Sequence, residues 1–181
     1  MQTYVALLRG INVSGQNAIR MPELRLLCAR LGLEDARTYL HSGNVVFRAA
    51  RSNARTLAGA IKAGIAQDFG HAVAVLVLAR QELDSVANAN PLRARADADE
   101  KLFHATFLFD AVSPADFAAL QLPAAAGEAA RLLGRAVLLY CPHGYGTTKL
   151  NNAYFETALG VTATTRNWRT VRALQQLCAA P

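Results

Sequence analysis

Short apolar runs alternate with amphipathic stretches along the chain. Tyr4 to Leu8 is uninterruptedly apolar and predicts a strand. Gly10 to Arg20 is polar and contains glycine, which predicts a loop. Pro22 suits the first position of a helix, and Glu23 in the first turn is favoured by the helix dipole. Leu24, Leu27, Cys28 and Leu31 follow at helical spacing until Gly32 ends the element. Thr38-Tyr39-Leu40 and Val45-Val46-Phe47 are β-rich pieces around Ser42-Gly43-Asn44, a turn signal. Leu57, Ile61, Ile65 and Phe69 recur every four residues, an amphipathic helix, and Ala72 to Leu78 reads as a buried strand. The order is βαββαβ.

The second half repeats that order after a composition shift. Asn88 to Glu100 holds Asn90-Pro91 and then Arg and Asp alternating with Ala, which reads as a connection preceded by one helical turn from Gln81. Leu102 to Phe109 is a strand. Ser113-Pro114-Ala115-Asp116 places a capping hydroxyl, a proline and an acid where a helix start wants them, with Phe117 and Leu120 as its apolar face. Ala129 to Leu133 and Ala136 to Cys141 flank Gly134-Arg135, a hairpin signal. Thr148 to Leu159 reads as a helix stopped by Gly160, Val161 to Thr164 as a short strand, and Asn167 to Cys178 as a last helix facing inward through Trp168, Val171 and Leu174. The expected fold is α+β, two tandem ferredoxin-like units with antiparallel sheets plus a C-terminal helix. Expected boundaries are 1–87, a linker at 88–100, and 101–181.

Composition bounds the function classes. With 52% hydrophobic and 18% charged residues among 181, the chain can build a core and is not of the disordered class. Its longest strongly apolar run, Ala72 to Ala79, is far shorter than the ~20 residues of a membrane helix. Arg9 interrupts the early apolar stretch, so no secretion signal is expected. Three widely spaced cysteines, Cys28, Cys141 and Cys178, fit a reduced cytoplasm better than a disulfide framework. Cys141-Pro142-His143 is a lone short pair, whereas a structural zinc site wants four ligands, so neither metal nor cofactor is expected.

The charge is unevenly spread. Eight Arg against Glu23, Glu34 and Asp35 leave residues 1–55 at +5. The segment 56–148 is weakly acidic, and Lys149, Arg166, Arg169 and Arg172 against Glu156 leave 149–181 at +3. The end segments therefore carry the excess positive charge, a field that attracts anions. A set of solvated arginines is the plainer account of the same numbers.

Several pieces resemble one family. They are Leu7-Leu8-Arg9-Gly10-Ile11-Asn12-Val13 with Gly15 and Asn17, then Met21 with Glu23-Leu24-Arg25, and Thr38-Tyr39. Ser42-Gly43-Asn44-Val45-Val46-Phe47 and Asn90-Pro91 follow, and near the C-terminus Lys149-Leu150, Glu156 with Leu159-Gly160, and Thr164-Thr165-Arg166-Asn167-Trp168. These resemble the domain of unknown function 1697 family, mainly bacterial proteins. The resemblance implies a compact α+β protein of paired ferredoxin-like units. It implies no activity and carries over no catalytic residue. The chain departs from the family's usual pattern at His41, where Gln is usual, and at Ser14, where a second Gly is usual.

Three polar stretches remain as candidates. The loop from Arg9 to Asn17 joins a strand to a helix, and its glycines allow a phosphate-binding nest. The reading favoured is a folded loop whose Asn side chains cap its own backbone. Gly144 to Lys149 and Thr165 to Arg169 each open a predicted helix and place cations where the dipole disfavours them, which fits an anion held between them. A buried salt bridge from Arg166 explains the second as well. Trp168 is a stacking platform or, by its phase with Val171, a core residue. The expected ligand site is Arg9, Asn12, Lys149, Arg166, Asn167 and Arg169, binding an anionic small molecule, a nucleotide or a nucleic acid. The alternatives are an enzyme acting on a phosphorylated or carboxylated small molecule, and a homodimeric scaffold without a ligand.

Overall fold

The computed structural model of the chain describes residues 1–13, 15–94 and 99–180. Ser14 and the alternating 95–98 stretch of the expected linker lie outside the described residues. By their internal contacts the residues group into two compact units, Met1–Asp84 with the C-terminal residues from Ala173 onward, and Ser85–Arg172.

The first unit is a four-stranded antiparallel sheet with two long helices. Strands β1 (Gln2–Leu8), β2 (Glu34–Tyr39), β3 (Asn44–Ala49) and β4 (Val75–Ala79) pair in the order β2-β3-β1-β4. Central β1 sets Tyr4 opposite Phe47 on one side and Ala79 on the other. Helix α1 (Met21–Arg30) starts with proline in its first turn, as expected, and buries Met21, Leu24, Leu27 and Cys28. Helix α2 (Ala54–Phe69) is capped by Asn53 and ends at Gly70, whose φ of +68° needs no side chain. Leu24, Leu27, Ile61 and Ile65 join Tyr4, Ala6, Phe47 and Val77 in one core. Strand β2 begins four residues before the expected piece. Its Glu34-Asp35 start is polar and exposed because β2 is a sheet edge, where charge discourages further pairing.

Helix α3 (Arg80–Asn88) follows β4 and is longer than the single turn expected; the side chain of Glu82 accepts from the Ala79 N–H at its start. The second unit repeats the antiparallel plan. Strands β5 (Phe103–Leu108), β6 (Ala129–Leu133), β7 (Ala136–Tyr140) and β8 (Ala163–Asn167) pair in the order β6-β7-β5-β8. Short α4 (Pro114–Ala118) has the expected start: Ser113 Oγ accepts from the Asp116 N–H at 3.0 Å and donates to the Asp116 carboxylate. Helix α5 (Asn152–Leu159) places Phe155 in a core with Leu108, Val137, Leu139 and Leu150.

The last helix, α6 (Trp168–Ala179), begins in the second unit, while its residues from Ala173 on belong to the first. Those residues are tied there by Gln175 Nε2 donating to Asp84 Oδ1 and by Arg37 donating to the Ala180 carbonyl. No described helix is long and apolar enough to cross a membrane.

Candidate functional site

Ile11 and Ile19, 1% and 3% exposed, pin both ends of the loop between β1 and α1 into the first unit's core. What lies between must fold back on itself. Asn12 makes this work at a left-handed φ of +53°. Its Oδ1 accepts from the Ile19 N–H at 2.9 Å, and its Nδ2 donates to the Ile19 carbonyl at 2.9 Å and to the His41 carbonyl at 2.7 Å. Asn17 Nδ2 donates to the Gly10 carbonyl at 3.0 Å. The asparagines thus cap the loop's own backbone. Asn12 also ties the loop to the β2–β3 turn.

That turn is equally committed. The Gly43 carbonyl accepts from the Leu8 N–H at 2.8 Å. Asn44 is fully buried and donates to the Tyr39 carbonyl and to Ser42 Oγ. Exposed Leu40 sits at a φ of +57°, which a branched side chain rarely adopts.

Loop, turn and helix start enclose an open groove of about 550 Å³. It is lined by Asn12, Ala18, Ile19, Arg20, Met21, Pro22, Glu23 and His41. Arg20 is the N-cap residue of α1, and its side chain makes no capping hydrogen bond. Of the six expected site residues, Asn12 lines this groove. Arg9 is half-buried at the end of β1, and its backbone N–H donates to the Ala74 carbonyl. Arg20 and His41 are groove residues that sequence reasoning left out of the site. His41 was visible as a departure from the family pattern, whereas Arg20 carried no motif.

The other four expected residues lie in the second unit, where two premises change. Helix α5 starts at Asn152, because Asn151 Oδ1 takes the Tyr154 N–H as the cap. Exposed Lys149 therefore precedes the helix and is not in its first turn. Arg166 belongs to β8, not to a helix start. It is 8% exposed and donates to Thr164 Oγ1 at 2.8 Å and to the Thr165 carbonyl at 2.9 Å. Burial pushes its guanidinium down to about 10, which leaves it charged at neutral pH.

Asn167 ends β8. Its Nδ2 donates to the Lys101 carbonyl and faces His104 Nε2, while its Oδ1 accepts from the Arg169 N–H at 2.9 Å and so caps α6. Exposed Arg169 pairs with Asp99 at 2.9 Å. The Asp99 carboxyl is held below its usual range, first by the Lys101 N–H, then by the Lys101 side chain. Arg169 thus has a carboxylate of its own unit beside it.

Next to Asn167, His104 is 6% exposed and stacks on Tyr145 at 4.6 Å. Burial pushes its imidazole down to about 4, partly opposed by the Leu102 carbonyl. Burial likewise raises the Tyr145 phenol, whose OH donates to Thr165 Oγ1 at 3.0 Å. Trp168 is fully buried and so is a core residue, not a platform open to a base. All three cysteines are buried thiols pushed up to about 11, by desolvation first. Among the described residues no group of three or more His, Cys, Asp or Glu could hold a metal ion.

A family model described as a protein of unknown function (DUF1697) matches residues 1–138. A solved structure described as the conserved bacterial protein SP0830 from Streptococcus pneumoniae is similar in fold. The two are 24% identical with a TM-score of 0.72, over 98% of this chain and 98% of that one. No curated protein matches the chain.

Proposed function

This chain belongs to the DUF1697 family, which assigns it no activity, and from its own chemistry we propose that it binds a small anionic ligand in the groove at the start of α1. The groove carries this reading: about 550 Å³ whose lining includes apolar Ala18, Ile19, Met21 and Pro22 together with Arg20 and His41. Small-molecule sites commonly span ~300–1,000 Å³, with apolar walls and a few polar groups. The uncapped start of α1 favours negative charge there, and Arg20 adds a cation, while Glu23 offsets part of both. The excess positive charge of residues 1–55, Arg9 among them, adds a long-range attraction. A mononucleotide is within the size range.

Calorimetric titration of mononucleotides at several salt concentrations tests this. Affinity should weaken as salt rises, and Arg20→Ala should weaken it about tenfold, the loss of ~1.4 kcal/mol. Affinity indifferent to both salt and Arg20 would overturn the reading.

One observation favours a second reading, catalysis on a phosphorylated or carboxylated small molecule: Glu23 and His41, a carboxylate and an imidazole, line the same groove. Turnover lost in both Glu23→Gln and His41→Gln, with binding retained, would support it. In both units the βαββαβ order and the strand order support ferredoxin-like folds. The free thiols support a reducing compartment such as the cytoplasm.

A further inference from the structure

Charge alone underspecifies the ligand of this groove. We infer that it carries one anionic group on a compact apolar body, and is neither a bare oxyanion nor a polyanionic strand; this rests on the anion reading above. The floor decides it. Ile19 and Met21 are 3% and 7% exposed, and both belong to the hydrophobic core of the first unit. Ala18 and Pro22 are exposed apolar walls beside them. Asn12 looks like a polar contact, but both its amide hydrogens are spent on the Ile19 and His41 carbonyls. The polar groups left for a ligand are the start of α1 and the side chains of Arg20 and His41, with the charge of Glu23 against them.

A bare phosphate seated here gives up hydration against carbon, which is costly, and gains one cation and one short helix start in return, both offset in part by Glu23. An apolar body on the same anion turns that floor into a gain, since burial of carbon surface is favourable at ~25 cal/mol per Å². A nucleic-acid strand needs several cations in a row to neutralise successive phosphates, and Arg20 stands against Glu23 in this lining.

The sequence supplies a direct reporter. The chain has two methionines, Met1 and Met21, so methyl-labelled methionine yields one signal from the groove floor and one from the chain start. The full-length protein is titrated with phenyl phosphate, inorganic phosphate and benzyl alcohol, following the Met21 methyl. Phenyl phosphate is expected to shift it and to bind at least about tenfold tighter than inorganic phosphate, the yield of burying ~60 Å² of carbon. Arg20→Ala should bring phenyl phosphate down to the affinity of benzyl alcohol. Ala18→Asp, at an exposed position, should abolish phenyl phosphate binding while sparing the fold. Equal affinity for inorganic and phenyl phosphate would overturn this inference and leave the anion reading standing. Benzyl alcohol binding as tightly as phenyl phosphate would overturn both, as would a Met21 signal that no probe moves.

Discussion

Gly43 is held at a φ of +72°, and a methyl group there would lie 2.6 Å from Leu8 Cβ and 2.8 Å from Ile11 Cδ1. Backbone strain and overpacking therefore act together at Gly43→Ala, with an expected cost of about 2–4 kcal/mol in urea denaturation. Asn12 is a clamp of the same region through three hydrogen bonds. Asn12→Ala should cost about 1–3 kcal/mol, because the Ile19 and His41 backbone groups lose their partner. His104 supplies a pH dependence. Its imidazole falls from an ordinary 6.5 to about 4 on folding, so the unfolded chain takes up the proton first. Its contribution is complete above pH ~6.5 and is lost as pH falls from there through ~4. Denaturation midpoints measured across that window should fall with acid, and His104→Gln should remove that part of the slope.

At the scale of elements, helix ends show what a sequence makes legible and what it hides. The start of α4 was readable because Ser113, Pro114 and Asp116 each have one obvious use there. The sequence reading starts helix α5 four residues early, since Thr148, Asn151 and Asn152 all offer capping chemistry and contacts alone select Asn151. Asn151→Ala should cost about 1 kcal/mol by thermal unfolding, and Thr148→Ala should leave the helix end in place. Strand β8 was cut short because Thr164-Thr165-Arg166-Asn167 is polar, yet Thr164 and Arg166 are buried. Apolar periodicity cannot flag a strand whose buried face is polar. The groove was hidden for another reason. It is assembled from a loop, a helix start and a turn some twenty residues further on. Only hydrogen bonds such as Asn12 to the His41 carbonyl reveal that they meet. Arg20 marks nothing in one dimension.

For the molecule as a whole, the thiols offer a test of integrity. Cys28, Cys141 and Cys178 are buried and pushed up to about 11, so the native protein at neutral pH should react slowly with a disulfide reagent, and three thiols should titrate rapidly in urea. Fast reaction of any one without denaturant would count against that burial. The path of α6 reaches further. Strands β1 to β4 are made before residue 80, but the residues that complete their unit, with Gln175 on Asp84 and Arg37 on the Ala180 carbonyl, are made only after the whole segment Ser85–Arg172. On the ribosome, the first-made part of this protein must therefore wait, unfinished, until the residues from Ala173 onward have emerged, so its completion trails the folding of the segment made in between.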